Sequence, residues 1–163
     1  MLDADQLRAL LHYDLATGVF IWRVSTSSRA CAGAVAGTIN DRGYRRLQIS
    51  GKRYYVHRLA WLYVTGEWPT DDIDHIDLNR ANNRFSNLRP ATRSQNLANT
   101  RPRTRNSSGL KGVSWNRNAH KWRADICIDG KTRFLGYFTT PAAAHDAYNS
   151  AATEHHGDFA RGS

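Results

Sequence analysis

Cysteine is scarce in this chain. Its 163 residues hold two, Cys31 and Cys127, far apart and in no CxxC pair. Two isolated thiols suit a reducing compartment, and neither cysteine–histidine spacing typical of structural zinc is present. Long apolar runs are missing as well. None approaches the ~20 residues that cross a bilayer, so no membrane role is expected. The N-terminus, MLDADQLRALL, lacks the basic-then-apolar order of a secretion signal, and a cytoplasmic location follows as the expectation. Acid is in short supply: Asp plus Glu number 14 against 23 Lys plus Arg, a formal net charge of +9. That balance points to a polyanionic partner, although a basic chain alone does not name one.

What is present concentrates in Ile73 to Asn96, read as IDHIDLNRANNRFSNLRPATRSQN. Asp and Asn offer hard oxygen ligands, which suit magnesium or manganese rather than zinc. Histidine is the side chain best placed to take a proton from water near neutral pH. A carboxylate, an imidazole and amides in one stretch are the parts of a single-metal phosphodiester hydrolase. Thr92 followed by Gln95 is a capping box, which predicts a short helix from about Arg93 with Asn96 in or just after its first turn. Asp77 reads either as an acid behind the site or, preferably, as a turn residue beside Asn79. His57 stands either near a scissile phosphate or, more commonly for such a position, as a satisfied group at the start of a buried helix.

The stretch and its surroundings resemble the HNH endonucleases, in the version found in phage and intron-encoded homing nucleases. Val56-His57-Arg58-Leu59, Asp74-His75-Ile76-Asp77, Asn82-Asn83, Asn87-Leu88-Arg89 and Gln95-Asn96 carry the resemblance, from about Tyr44 to Asn99. It implies a ββα-metal unit with one divalent ion, Mg2+ or Mn2+. By that resemblance His75 is the general base, Asp74 and Asn96 hold the metal, and Asn87 orients the base. His57 and Asn83 are accessory candidates. Asn96 stands where many relatives have histidine, which favours magnesium over softer ions.

Upstream, Asp3 to Tyr13 reads as a helix capped by Asp3 with Gln6, its apolar face Leu7, Leu10 and Leu11. Short strands are predicted at Val19–Trp22, 34–39, 44–49 and 54–56, forming a small antiparallel sheet. Its Arg42, Arg45, Arg46, Lys52 and Arg53 make either a DNA-facing platform or a solvated basic face. His57 to Thr65 reads as a helix closed by Gly66. Trp61 and Trp68 are read as core or turn packing. Residues 100–109 are a basic linker, in which Arg101, Arg103 and Arg105 would follow a phosphate backbone without reading sequence.

Beyond the linker, Gly112-Val113-Ser114-Trp115, Lys121 to Ile126 and Arg133 to Phe138 read as three strands. Pro141, with Thr140 as N-cap, starts an alanine-rich helix. Over Leu110 to Ala160 this resembles the Apetala/ethylene-response-factor DNA-binding domain. The carrying residues are Gly112-Val113, Lys121-Trp122, Ala124, Ile126, Leu135-Gly136, Phe138, the Ala-Tyr helix and His156-Gly157 with Phe159-Ala160. The resemblance implies a sheet laid in the DNA major groove with the helix behind. Alternation puts Val113, Trp115, Trp122, Ala124, Ile126 and Leu135 on the helix side, with Trp115 and Trp122 as core. Ser114, Asn116, Arg123, Asp125, Cys127 and Thr132 fall on the other side.

The expected fold is α+β: a helix and small antiparallel sheet, then the ββα-metal HNH unit, then a three-stranded antiparallel sheet packed on one helix. The expected domains are 1–99, with its motif core at 54–99, the linker 100–109, and 110–163. The expected activity is metal-dependent cleavage of double-stranded DNA by a monomer, homing or phage-encoded, acting in a host bacterial cytoplasm. The C-terminal domain would choose the site. Arg58, Arg89, Arg93, Arg101, Arg103, Arg105, Lys111, Ser114, Asn116, Arg117, Lys121, Arg123, Lys131 and Arg133 are the candidate DNA contacts. The alternative is a non-catalytic DNA-binding regulator with a relic HNH fold, against which the complete Asp74, His75, Asn87 and Asn96 set argues.

Overall fold

The computed structural model describes residues 2–100, 106 and 108–160. Arg101, Arg103 and Arg105, expected to track phosphates, lie outside the described residues. The fold is mixed α+β, built among the described residues from small antiparallel sheets and four α-helices. Packing divides the chain into two compact units, residues 1–90 and 91–163.

In the first unit, helix α1 (Ala4–Leu10) begins at the expected capping box, where the Asp3 carboxylate accepts from the Gln6 backbone N–H at 2.8 Å. The helix ends before Tyr13, however. Leu11–Asp14 is strand β1, paired antiparallel with β2 (Val19–Trp22). The local pattern is ambiguous, because Leu7, Leu10 and Leu11 fit a helical stripe while Leu11 and Tyr13 also alternate inward. The partner strand settles it: Leu11 to Asp14 pair residue by residue with Trp22 to Val19, so the backbone groups are satisfied without a further helical turn. Asp14 then starts the turn, accepting from Ala16 N–H and the Thr17 hydroxyl.

A second sheet, order β3-β4-β5, is formed by Thr38–Ile39, Arg45–Ile49 and Lys52–Tyr55. The predicted strand at 34–39 shrinks to its last two residues, with Val35 making an isolated bridge to Ile21. Helix α2 (Val56–Thr65) follows directly, and it closes on Gly66 in the left-handed conformation, as expected. Its buried face of Val56, Leu59, Ala60 and Leu62 joins Leu7, Leu11, Tyr13, Phe20, Trp22 and Leu47 in one core. Trp61 and Trp68 pack against that core, and the Trp68 indole N–H donates to the Leu2 carbonyl at 2.8 Å. A short 3-10 turn at Phe85–Asn87 leads into a two-stranded ribbon of β6 (Asp72–His75) and β7 (Leu88–Ala91).

Helix α3 (Arg93–Ala98) opens on the predicted capping box, with Thr92 and Gln95 bonding reciprocally. Such a cap contributes about 1 kcal/mol. The sequence grouped α3 with the residues before it, whereas the packing places it in the second unit. There the Asp129 N–H donates to Ser94 Oγ at 3.2 Å, and the Lys111 ammonium donates to the carbonyls of Ala98 and Thr100 at the helix's C-terminal end. The rest of this unit is a three-stranded sheet, order β10-β9-β8 (Lys131–Phe138, Lys121–Ile128, Val113–Asn116). Helix α4 (Pro141–His156), N-capped by the Thr140 hydroxyl, packs on it. Val113, Ala124, Ile126, Ala144, Tyr148 and Ala152 are buried between sheet and helix.

Candidate functional site

Strand β6 ends on Ile73, Asp74 and His75, all three buried. The strand is therefore covered on both faces, and a carboxylate and an imidazole are carried into an interior where each must find a partner. Asp74 Oδ2 is held by Arg89 Nε at 3.0 Å, from the neighbouring strand β7. A buried pair of this kind adds little net stability, but removing one partner typically costs about 3–5 kcal/mol. Arg89, expected to hold DNA phosphate, is thus bonded to the carboxylate of the motif.

The His75 imidazole sits in an aromatic nest. His57, from the first turn of α2, meets it edge-on with ring centroids 5.1 Å apart, and the Tyr44 ring lies 5.4 Å from His57 and 5.9 Å from His75. Tyr55 stacks on His57 at 5.4 Å. Burial pulls the His75 pKa below its ordinary value, and Arg80 adds to that, against the opposing effects of Asn83, Asp74 and Asp77. The imidazole is therefore neutral at neutral pH, the form able to accept a proton. His57 is pushed further, to about 3, by burial first and then by the neighbouring charges of His75 and Arg58. It is neutral, and its Nδ1 is buried with no hydrogen-bond partner among the described residues. His57 is thus packed against the imidazole of the motif at the start of a buried helix.

The loop between β6 and β7 is tied by Asp77. Its carboxylate accepts from the Asn79 backbone N–H at 2.8 Å, from Asn82 Nδ2 at 2.7 Å and from Asn87 Nδ2 at 2.9 Å. Burial would raise its pKa, but those three bonds outweigh it and the net direction is down. Asp77 is a turn residue, as expected, and also the clamp for two asparagines of the motif. Asn87 was expected to orient His75. Its side-chain bonds run instead to Asp77 N, Asp77 Oδ1 and the Asn82 carbonyl. The amide oxygen facing His75 Nε2, at 3.4 Å, belongs to Asn83.

Two residues near the imidazole were not picked from the sequence for this role, Tyr44 and Arg80. The Arg80 guanidinium lies 4.8 Å from the Tyr44 ring centroid and donates to the Arg42 carbonyl. No local pattern marks them, because both reach the site from loops and a sheet edge. Arg58, a candidate phosphate contact, donates to the carbonyls of Pro69 and Asp71 and braces that loop. Among the described residues no group of three or more His, Cys, Asp and Glu gathers to hold a metal. The donors of the motif are one carboxylate and amides, a set that fits a hard divalent ion rather than zinc. Asn96 lies in the second unit, fourth residue of α3, its backbone N–H bonded to the Thr92 carbonyl.

The second unit offers a sheet face opposite α4. Ser114, Arg123, Asp125, Cys127 and Thr132 fall on it, as the alternation predicted. A register shift between Phe134 and Gly136 changes the rest. Gly136 has φ +143, a conformation that side-chain-bearing residues rarely adopt, and the extra residue of the bulge puts both Phe134 and Tyr137 on the outer face. They are 51% and 44% exposed, with rings 4.9 Å apart. Arg123 is bonded bidentately to Asp125, both bonds 2.7 Å, and stacks over Phe134. Its fork is thereby occupied within the sheet. Trp115, read as core, is 42% exposed. It lies on the edge strand, touching Trp122 with ring centroids 5.2 Å apart. Lys111 is bound to α3 as described above. Arg93, Arg117, Lys121, Lys131 and Arg133 are exposed, and Asn116, the last residue of β8 and paired with Lys121, is half-buried.

Residues 54–98 match the model of the HNH endonuclease family. Protein 3.8 of Escherichia phage T7 is 38% identical over 76 residues, 46% of this chain and 63% of that protein. The uncharacterized HNH endonuclease L560 of Acanthamoeba polyphaga mimivirus is 36% identical over 107 residues, 64% of this chain and 54% of that one. The chain thus spans less than two thirds of the length of each of these relatives. A solved structure of DNA binding and cleavage by the HNH homing endonuclease I-HmuI superimposes with a TM-score of 0.45 at 20% identity, covering 95% of this chain and 90% of that one. The match to the HNH endonuclease family model thus spans the buried Asp74-His75 pair and the asparagines that follow it.

Proposed function

We propose that the chain is a metal-dependent endonuclease that hydrolyses phosphodiester bonds of double-stranded DNA. The observation that carries this reading is the buried, neutral His75 imidazole beside the buried Asp74 carboxylate at the end of β6. His75 takes the proton of the attacking water. Asp74 and Asn96 supply hard oxygen ligands, Asn96 on the strength of its residue type and motif position. Nucleases of this family generally depend on a divalent metal ion. Such an ion, Mg2+ or Mn2+ by the donor chemistry, would neutralise charge on the scissile phosphate and the leaving oxygen. Arg80, close to the imidazole and exposed, is placed to meet a DNA phosphate.

The second unit supplies the address by laying its outer sheet face on DNA, in the manner of the Apetala/ethylene-response-factor domain. Lys121 on that face, and the exposed Lys131 and Arg133 from the neighbouring positions of β10, contact phosphates.

The test is plasmid cleavage in magnesium, with and without chelator, by the parent chain and by His75→Ala. The parent cuts only with metal. The variant should lose at least the ~10²-fold of a missing general base while gel-shift affinity for DNA stays. Equal cleavage by both proteins, or cleavage in excess chelator, overturns the reading.

A further inference from the structure

We propose that the N-terminal hairpin is a positioning element for the site: Tyr13 on β1 and Gly18 in the β1–β2 turn hold Asn83, and Asn83 in turn sets the tautomer of His75. The inference rests on His75 being the working imidazole.

Asn83 is the pivot. It is 1% exposed. Its Nδ2 donates to the Ala81 carbonyl at 2.9 Å, which fixes which way the amide faces, and its Oδ1 lies 3.4 Å from His75 Nε2. An amide oxygen only accepts, so Nε2 facing it carries the N–H and the basic lone pair falls on Nδ1. Asn83 is thus an amide of the motif that faces the imidazole directly.

Asn83 is held from far away in sequence. The Tyr13 hydroxyl donates to the Asn83 carbonyl at 2.6 Å across 70 residues. Tyr13 is buried, and its ring is fixed by Phe20 at 4.7 Å and Tyr63 at 5.6 Å. Burial pushes its pKa up to about 12, against the Phe85 backbone amide beside it, so the hydroxyl keeps its proton. Gly18 touches the same peptide. A Cβ there would lie 2.3 Å from Arg84 N and 2.4 Å from Asn83 C, both backbone atoms that cannot give way cheaply. The turn that brings Gly18 in is closed by its own N–H on the Asp14 carbonyl at 2.8 Å. Two points of the hairpin thus clamp one peptide, and that peptide carries the side chain at the imidazole.

Tyr13→Phe keeps the ring and its packing and deletes only the hydroxyl. The full-length variant should melt with the same cooperative transition as the parent. Its kcat for plasmid cleavage should fall roughly tenfold or more, the scale of a slightly misplaced catalytic group, with KM for DNA unchanged. A second readout does not use activity: two-bond proton–nitrogen NMR of the histidine rings. In the parent, His75 should show one tautomer, protonated on Nε2. In Tyr13→Phe the two tautomers should mix, and in Asn83→Ala the Nε2–H preference should be lost. A His75 signal with no tautomer preference in the parent, or unchanged in both variants, overturns the inference, as does parental kcat in Tyr13→Phe. If the NMR shifts occur as expected but His75→Ala still cuts, the positioning stands and the assignment of His75 as base falls.

Discussion

His57 shows how a single buried side chain couples to solution conditions. In the unfolded chain it titrates near 6.5; in the folded unit it is held neutral to about 3. Between those values the unfolded chain binds the extra proton. The stabilisation is complete above pH 6.5 and is lost as pH falls toward 3, with a slope approaching about 1.4 kcal/mol per pH unit for one proton. His57→Phe retains an aromatic ring against Tyr44, Tyr55 and His75 and removes the titrating group. Urea unfolding at pH 7.5, 6 and 5 should show the parent losing stability faster than the variant. His75 is present in both proteins, so the difference isolates His57. Parallel stability curves would mean that His57 is not buried as a neutral ring.

At the scale of elements, the bulge in β10 decides what the outer sheet face can do. Without it, strict alternation would put Phe134 and Phe138 on one face and Tyr137 on the other. With Gly136 in a conformation open to glycine, Phe134 and Tyr137 sit side by side beyond the Arg123–Asp125 pair. If this face meets DNA, its contacts are aromatic and apolar, such as the methyl groups of thymine, rather than an arginine fork on guanine. Arg123→Ala should therefore change affinity little, while Phe134→Ala with Tyr137→Ala should weaken site-specific binding by at least tenfold in a gel-shift titration. The opposite ranking would show that Arg123 leaves Asp125 to read bases.

For the whole molecule, charge sets the terms of association. A chain of net charge +9 binding a polyanion releases counterions, and each phosphate neutralised adds about 0.9 to the slope of log affinity against log salt. Replacing Lys121, Lys131 and Arg133 by glutamine should lower that slope by about 0.9 for each phosphate no longer neutralised, with site preference kept. An unchanged slope would mean that other cations meet the phosphates. Folding stability should respond weakly, because exposed charges of this kind contribute little to it.

The sequence by itself determined whatever depends on near neighbours. The capping boxes at Asp3–Gln6 and Thr92–Gln95, the Gly66 close of α2 and the Thr140-Pro141 start of α4 all rest on bonds reaching no more than four residues. The three C-terminal strands were legible from alternation between close turns. The order Asp74-His75, Asn82-Asn83, Asn87 likewise marked the residues that the fold brings together in and beside β6, because residue types and spacings are written in the chain. The partners were decided only in three dimensions. Leu11 and Tyr13 turned from helix to strand because β2 was there to pair with them. Asp77 took Asn87, and Asn83 came to face the His75 imidazole, because the loop folds back on the Asp77 carboxylate. Tyr13 reached Asn83 across 70 residues, and the Arg123 fork closed on Asp125 two positions away. An imidazole, an amide or a guanidinium can bond in several ways, and its sequence position fixes none of them. The choice falls to whichever complementary group the packed chain brings within hydrogen-bond reach, since a buried polar group left without one costs more than most single contacts return.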